Sequence, residues 1–165
     1  MVYQVGERVL YGVHGVCQVV ELQKQTINRK TVEYYVLEPV TQQGTRYFVP
    51  SQNEKAVAKM RPVLTKPQVD ALLNDVSTAD IPWIDDENER KRCYMELITA
   101  GDRLALLGVV RTLRRHRQLQ MQDGKKFHVN DAVILKDAEK LLFGELSAVL
   151  SVPYEQVESY IEFDK

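Results

Sequence analysis

The hydrophobic pattern of this chain changes from strand-like to helical along its length, and this change limits the folds that it can adopt. Up to Pro50, the apolar residues form short runs rich in β-branched and aromatic side chains, which are typical of strands. From about Thr65 they recur at helical spacing. No helical segment separates the strand runs, so no crossover is available for parallel pairing. The sequence therefore predicts an α+β protein, with a small antiparallel β-domain followed by an all-α domain.

Four predicted strands and their turns account for most of the first 50 residues. The runs cover residues 5–12, 15–22, 31–38 and 45–49. Polar or glycine-containing segments separate them, including a polar turn at 25–30, and Pro50 ends the last run. Strands this short and this closely spaced predict a strongly bent sheet or a small barrel. Residues 51–62 are interpreted as a short irregular or helical piece.

Capping signals indicate where the helices begin and end. Thr65 or Lys66 is the predicted cap of a helix whose first turn contains Pro67, where the missing N–H of proline costs little. The acidic run Asp85-Asp86-Glu87 suits the N-terminus of a helix that reaches about residue 99. Gly101-Asp102 is interpreted as a C-cap followed by a new N-cap. Further helices are predicted at about 103–120, at 130–150 and in a last short segment that reaches about residue 161.

The apolar stripes of these helices predict the core of the second domain. A residue on a helix advances by 100°, so positions three and four apart share a face. The predicted inward-facing residues are Tyr94, Leu97 and Ile98, then Leu106, Val109, Val110 and Leu113, and finally Ile134, Ala138, Leu141, Leu142, Leu146 and Val149. The predicted division of the chain is a β-domain at 1–62, a short helix and linker at 63–82 with the linker near 77–82, and a helical domain at 83–165.

Several classes of function find no support in the sequence. No apolar run approaches the roughly 20 residues of a membrane span, and the first residues lack the features of a signal peptide. Cys17 and Cys93 stand far apart and form no CxxC unit, which favours a reducing cytoplasm over a disulfide framework. The sequence shows no phosphate-cradling glycine loop, nucleophile elbow or metal-ligand cluster. We therefore expect no enzyme, no metal and no cofactor.

Basic residues are concentrated in the middle of the chain. The net charge is −1, but residues 82–127 carry ten Lys and Arg against seven Asp and Glu, while residues 128–165 carry three against eight. Arg111, Arg114 and Arg115 are neighbours on one helix, and Arg90 and Arg92 lie on the helix before it. Such a run is usually a solvated helix face. The alternative is a set of phosphate contacts, for which the planar guanidinium is suited.

Trp83 is the only tryptophan, and it follows a proline just before a predicted helix. A tryptophan at such a position most often packs locally against the core. However, Trp83 lies outside the periodic apolar stripes of the predicted helices. The second interpretation is that its indole is presented to a partner, where it could stack on a base or insert beside one in a minor groove.

A series of short motifs follows one order through the whole chain. In the N-terminal part they are Val5-Gly6-Glu7, Val9-Leu10-Tyr11, His14-Gly15-Val16, Tyr34-Tyr35-Val36-Leu37, Phe48-Val49-Pro50 and Met60-Arg61-Pro62. In the C-terminal part they are Trp83, Arg90, Gly101-Asp102, Arg111-Thr112-Leu113, Lys136-Asp137-Ala138-Glu139-Lys140-Leu141-Leu142 and Glu145-Leu146. Through these motifs the chain resembles the CarD/CdnL family of bacterial transcription regulators over nearly its full length.

The resemblance implies a function for each domain. It implies that the first domain is Tudor-like and binds the RNA polymerase β subunit, with Arg46, Phe48, Val49 and Pro50 as candidate contacts. It implies that the helical domain contacts promoter DNA at the upstream edge of the transcription bubble and stabilises the open complex. Trp83 would be the minor-groove wedge, and the candidate DNA contacts around it are Arg90, Arg92, Arg111, Arg114 and Arg115. The DNA contacts would be mostly to the backbone, and no feature of the sequence indicates an oligomeric state.

Two positions depart from the family pattern. Gly12 stands where a proline is common, and Phe48 stands where some members have an arginine for the polymerase. Arg46 could take the place of that arginine, because residues 46 and 48 share a face in a strand. The acidic residues beside Trp83 imply that the helical domain binds DNA weakly on its own.

Two other functions remain as alternatives. The first is a protein-interaction adaptor that binds RNA polymerase or a repair translocase, with Trp83 buried and no contact to DNA. The second is an unrecognised hydrolase, which would need a pocket with a nucleophile and a base that the sequence does not display.

Overall fold

The computed structural model describes residues 2–75 and 80–161, and it divides the chain into two compact units, Met1–Val63 and Leu64–Lys165. The first unit is a β-sheet with a short helix, and the second is helical. The α+β class is therefore confirmed. The linker predicted near 77–82 falls partly outside the described residues, at 77–79.

The first unit is built on a five-stranded antiparallel sheet. Its strands are β1 (Arg8–Tyr11), β2 (Val16–Ile27), β3 (Lys30–Pro39), β4 (Tyr47–Pro50) and β5 (Met60–Pro62), in the spatial order β4-β3-β2-β1-β5. The antiparallel pairing is confirmed in all four strand pairs. Its core contains Tyr3, Val9, Cys17, Val19, Tyr35, Leu37, Val49 and Met60. Burial raises the pKa of the Cys17 thiol to about 11, so this cysteine is an apolar core residue.

The hairpin of β2 and β3 is longer than predicted. The predicted polar turn at 25–30 is strand except for Asn28 and Arg29, whose φ angles are 51° and 63°. Positive φ at both positions of a two-residue loop is the type I′ geometry, whose twist matches that of the flanking strands. Polar residues such as Gln25 and Thr26 are accommodated in these strands because neither is buried there: Thr26 is exposed and Gln25 is half-buried.

The fifth strand was not predicted from the sequence. Residues 51–62, interpreted as one irregular or helical piece, contain the short helix α1 (Glu54–Val57) and then β5. Strand β5 has three residues and ends in Pro62, which an edge strand tolerates. Its partner β1 lies some fifty residues earlier in the chain, and Leu10 pairs with Arg61. No local pattern could indicate a strand this short with so distant a partner.

Helices α2 (Lys66–Asn74), α3 (Glu87–Ala100), α4 (Arg103–Gln122), α5 (Val129–Leu150) and α6 (Tyr154–Val157) form the second unit. Thr65 and Gln68 make a reciprocal capping box at the start of α2. Asp86 and Asp102 cap α3 and α4 by accepting backbone N–H groups of the first turn, and Gly101 ends α3 with φ 74°. The predicted caps of these helices are confirmed.

The core of the helical unit agrees with the predicted stripes. All thirteen predicted inward-facing residues belong to the core or pack against it, with Leu97 and Val149 only partly buried. Val69 and Leu72 of α2 join this core, and so do Val157 and Ile161 at the end of the described chain. The short helix predicted at the end is α6, followed by a 3-10 turn at Glu158–Tyr160. No helix in the described ranges is long and apolar enough to cross a membrane.

Candidate functional site

Residues 80–86, which lead into α3, have no regular secondary structure, and side chains bind their carbonyl groups. The Tyr94 hydroxyl donates to the Pro82 carbonyl at 3.1 Å, and the Thr112 hydroxyl donates to the Ile81 carbonyl at 3.3 Å. The Arg90 Nη1 group donates to the carbonyls of Ile84 at 2.8 Å and of Asp85 at 3.3 Å. We call these three side chains, which belong to α3 and α4, the Trp83 clamp. They fix the backbone on both sides of Trp83.

Arg90 is the centre of this clamp and is almost fully buried. Its Nε and Nη2 atoms donate to the two carboxylate oxygens of Asp131 at 2.9 and 2.7 Å, with the side chains 3% and 1% exposed. The hydrogen bonds to Asp131 raise the pKa of Arg90. A bidentate pair of this kind is the arrangement that a buried arginine needs. All three guanidinium nitrogens are therefore engaged within the protein.

Trp83 itself is partly buried against the helical core. Its ring stacks on the His116 imidazole, with centroids 3.4 Å apart and an angle of 12° between the planes. The Arg90 guanidinium carbon lies 4.2 Å from the centroid of the indole, within the range of a cation–π interaction. Trp83 thus packs locally, as the first interpretation expects, and keeps part of its surface accessible; its presentation to a partner stays a prediction.

His116 has an altered acidity in this environment. Burial lowers the pKa of its imidazole below the ordinary value of 6.5, and the positive charge of Arg90 lowers it further. Asp131 and Asp85 act in the opposite direction, with a smaller effect than burial. The neutral form of His116 is therefore the form that stacks on Trp83 at neutral pH.

Two more of the arginines proposed as DNA contacts are engaged in internal ion pairs. Arg111 is 7% exposed and donates from Nη1 to the Asp80 carboxylate at 2.8 Å. Arg114 donates from Nε to Glu139 at 2.7 Å and also bonds Glu158, an arrangement that lowers the pKa of the Glu158 carboxyl. Acidic residues of the same unit thus bind the guanidinium groups of Arg90, Arg111 and Arg114, whose role as DNA contacts stays a prediction.

Arg92 and Arg115 are the exposed members of the predicted set. The Arg92 side chain is 61% exposed and pairs with Glu96 one turn later at 3.0 Å. Since two residues span about 200° of a helix, Arg92 lies on the side of α3 opposite Arg90. Arg115 is adjacent to His116 on α4, about 100° around the helix. Of the two exposed arginines, Arg115 is therefore the one that lies closer along its helix to a residue of the Trp83 stack.

The acidic residues beside Trp83 have structural roles. Asp86 accepts the backbone N–H of Glu89 at 2.7 Å and so caps α3. Glu87 accepts a hydrogen bond from the Asn130 amide at 2.8 Å, and its other oxygen lies 4.0 Å from the His128 Nδ1 atom. Their position close to the indole follows from the need to begin α3 there.

The candidate polymerase contacts of the first unit lie at strand β4, an edge of the sheet. Phe48 is 49% exposed, and its ring meets the Tyr34 ring edge-on at 6.4 Å. Arg46 is half exposed and lies 3.7 Å from a Glu21 oxygen and 3.8 Å from a Glu38 oxygen. We call Tyr34, Arg46 and Phe48 the β4 surface. The exposure pattern of 46–49 agrees with the expected alternation, which puts Arg46 and Phe48 on the outward side.

Val49 and Pro50 occupy different environments from Phe48. Val49 is 0% exposed and belongs to the sheet core, so neither its side chain nor its backbone reaches the surface of the unit. Pro50 is partly buried at the end of β4, opposite Tyr34. Within the described strands, β4 pairs only with β3, which leaves its other side without a strand.

Gly12, one of the two departures from the family pattern, has a conformational explanation. Its φ is 49°, and its N–H donates to the Lys59 carbonyl at 3.0 Å. Proline has φ near −65° and no N–H, so it could not adopt this conformation or make this bond. In this chain, glycine at position 12 suits both the turn and its link to the residue before β5.

Sequence reasoning missed the residues that support Trp83, namely His116, Tyr94, Thr112 and Asp131. Helical spacing indicates in part that they act together, because Arg90 and Tyr94 share a helix face, being four residues apart, and so do Thr112 and His116. What the sequence did not contain was the path of the segment that they bind. Among residues 2–75 and 80–161, no group of three or more His, Cys, Asp and Glu side chains is arranged to hold a metal ion.

Comparison with known protein families gives two matches that follow one another along the chain. Residues 3–64 match the family model of the CarD-like/TRCF RID domain. Residues 72–162, more than half of the chain, match that of the CarD C-terminal domain. The boundary between the two matches lies next to the boundary between the two structural units, which falls after Val63.

Proposed function

Since this chain belongs to the CarD family of transcription regulators that interact with RNA polymerase, we propose that its two units bind two partners at a promoter. The β-unit binds the polymerase β subunit through the β4 surface. The helical unit contacts the upstream edge of the transcription bubble and stabilises the open complex, with Trp83 as a minor-groove wedge. A partner of RNA polymerase would act in the bacterial cytoplasm.

The observation that carries the DNA-binding part of this proposal is the Trp83 clamp. Four carbonyls around Trp83 are bound by side chains of α3 and α4. These hydrogen bonds hold the backbone on both sides of Trp83. A wedge benefits from this, because an indole that reorients freely loses conformational entropy when it inserts. The clamp therefore supports a side chain that is oriented before it meets DNA.

The β4 surface suits a protein partner. The edge of β4 offers backbone groups for an added strand, and Phe48 supplies exposed apolar area beside it. Arg46 stands next to Phe48 and is half exposed, so it can exchange its long contacts with Glu21 and Glu38 for a partner carboxylate. The proposed polymerase contacts are thus the side chains of Arg46 and Phe48 and the partly exposed Pro50, while Val49 contributes by holding β4 on the sheet core.

The proposed phosphate contacts follow from exposure. Arg115 and Arg92 present their guanidinium groups to solvent, and Arg115 is the nearer of the two to the Trp83 stack along its helix. We assign an indirect role to Arg90, Arg111 and Arg114, which hold the segment and the helices in place. Contacts to DNA phosphates position a protein on the duplex without reading the base sequence.

The lifetime of the promoter open complex tests the proposal. Trp83→Ala should shorten the lifetime that the wild-type protein confers, while leaving the affinity for polymerase unchanged, because the β-unit is untouched. Tyr160→Ala, which removes a 48% exposed aromatic of the same unit, is the matched control and should act as wild type. Equal lifetimes with wild type and Trp83→Ala would show that Trp83 is not the wedge.

The internal ion pairs of Arg90, Arg111 and Arg114 favour a second candidate, an adaptor that does not contact DNA. Iodide quenching of tryptophan fluorescence separates the two candidates, because Trp83 is the only tryptophan. The wedge proposal expects iodide to reach the indole in the free protein and promoter DNA to protect it in the polymerase complex. An indole shielded from iodide in the free protein would favour the adaptor.

A further inference from the structure

The His116 imidazole covers the Trp83 ring, and no function is yet assigned to it. The two rings are nearly parallel and in contact, with centroids 3.4 Å apart. Thr112, one turn earlier on α4, binds the Ile81 carbonyl. The same stripe of α4 therefore fixes the backbone before Trp83 and the plane of its side chain.

Charged and titratable groups of several elements surround His116. Arg90 of α3 and Asp131 of α5 form the buried pair, Asp85 precedes α3, and His128 precedes α5. Arg90 and His128 disfavour a positive charge on His116, and the two carboxylates favour it. Arg90 already supplies a cation 4.2 Å from the indole centroid. A protonated His116 would bring a second cation to the same ring.

We propose that His116 is a positioning residue whose neutral imidazole stacks on Trp83 and sets the orientation in which the indole meets promoter DNA. This inference rests on the proposed function of Trp83. The stacked pair gives the indole a flat support on the protein side, and a base or sugar edge can meet what remains accessible. A stacked aromatic pair contributes interaction energy in addition to that of the area it buries, so the stack stabilises this orientation of the indole.

The pH dependence of this support has a definite sign. Folding lowers the pKa of His116, so the unfolded chain binds this proton more readily than the folded chain. The contribution of the neutral stack to stability is complete above pH 6.5 and is lost as the pH falls through the lowered pKa. Acidification should therefore change the environment of Trp83 below pH 6.5, before most carboxyl groups titrate.

Fluorescence of the full-length protein between pH 8 and about pH 5 tests the stack without reference to DNA. We expect the emission of Trp83 to change in one step with a midpoint below 6.5, and the His116 imidazole resonances in the wild-type protein to titrate with the same midpoint. The step should disappear in His116→Phe and persist in His128→Gln, the matched control. A step that persists in His116→Phe, or that disappears only in His128→Gln, would overturn the inference.

The open-complex lifetime tests the positioning role. At neutral pH, His116→Gln should shorten the lifetime roughly two- to tenfold, as expected for the loss of one aromatic stack, with polymerase affinity unchanged. His116→Phe keeps a flat ring and should stay close to wild type. If Trp83→Ala shortens the lifetime and His116→Gln does not, His116 is not a positioning residue. If Trp83→Ala has no effect, the proposed function fails, while the pH titration still decides whether the stack exists.

Discussion

At the scale of single residues, arginine has two opposite uses in the helical unit. Arg90 and Arg114 bind acidic residues of other helices, and their guanidinium groups take part in the packing of the unit. Arg92 and Arg115 extend into solvent. In the sequence all of these arginines belong to one basic region. Their two uses could not be told apart there, because residue type and spacing do not show which guanidinium group has an acidic partner in three dimensions.

This distinction predicts different effects for charge reversal. Arg115→Glu should weaken the stabilisation of the open complex more than Arg92→Glu, because Arg115 is adjacent to the residue that stacks on Trp83. Removing one phosphate contact should also reduce the salt dependence of the effect by about one unit in the log–log slope. Open-complex lifetimes measured over a series of salt concentrations would check both points.

Arg114→Glu serves as a contrast to these exposed substitutions. It places a carboxylate against Glu139 and Glu158, so it should lower the melting temperature of the helical unit. Arg115→Glu should leave the melting temperature close to wild type. An Arg115→Glu variant with a normal salt slope and a normal lifetime would contradict the assignment of Arg115 as a phosphate contact.

At the scale of elements, the segment before α3 depends on side chains for the hydrogen bonds that a strand or helix would make with its own backbone. Buried carbonyls without partners are costly, so the clamp residues are a condition for this path of the chain. Arg90 contributes most to it, because it binds Asp131 and two carbonyls and also contacts Trp83.

A double-mutant cycle tests the Arg90–Asp131 pair. Arg90→Met should lower the unfolding free energy by about 3–5 kcal/mol, because it leaves the Asp131 carboxylate buried without its ion-pair partner. Adding Asp131→Leu should recover much of this loss, since an apolar pair of similar volume no longer buries a lone charge. Urea denaturation of the four proteins supplies the measurement.

The exposed pair Arg92–Glu96 provides the control for this cycle. Arg92→Ala should change the stability little, because both side chains are mostly in solvent. Additive losses in Arg90→Met and Asp131→Leu, with no recovery in the double variant, would show that the pair is not coupled.

The elements that could be predicted are those with local signals. Gly101 and Asp102 cap their helices as predicted, and the caps Thr65 and Asp86 fall within the predicted start signals, since a cap bonds atoms only a few residues away. Strand β5 and the support of Trp83 by His116 could not be predicted in the same way. Both depend on partners some thirty to fifty residues distant, which a single sequence does not pair.

At the scale of the whole molecule, the two units have separate cores and separate candidate surfaces. A net charge of −1 and the acidic residues around Trp83 disfavour strong binding to DNA by the free protein. Polymerase binding by the β-unit would raise the local concentration of the helical unit at the promoter, so a weak DNA contact would be sufficient.

This arrangement predicts that the two surfaces fail in different ways. Phe48→Ala should raise the protein concentration needed for the full effect on open-complex lifetime, by roughly tenfold or more if Phe48 is a central contact. It should not change the plateau of that effect. Trp83→Ala should lower the plateau and leave the required concentration unchanged. Titrating each variant against a fixed amount of polymerase and promoter distinguishes the two patterns.

Leu22→Ala is the control for Phe48→Ala, because Leu22 is a 41% exposed apolar residue of the same sheet that lies on β2 and away from the β4 edge. It should titrate as wild type. A lower plateau with Phe48→Ala, at concentrations that saturate the polymerase, would contradict the division of labour between the units.

The strand order of the β-unit also has a consequence for how the chain folds. The β2–β3 hairpin closes through a two-residue turn and can form from local contacts alone. Strands β1 and β4 then each join a neighbour that is close in sequence, whereas β5 must return to β1 across most of the unit. Closing that long loop carries the largest entropic cost in the sheet. We therefore expect the pairing of β1 with β5 to be the late step, with the hairpin as the nucleus.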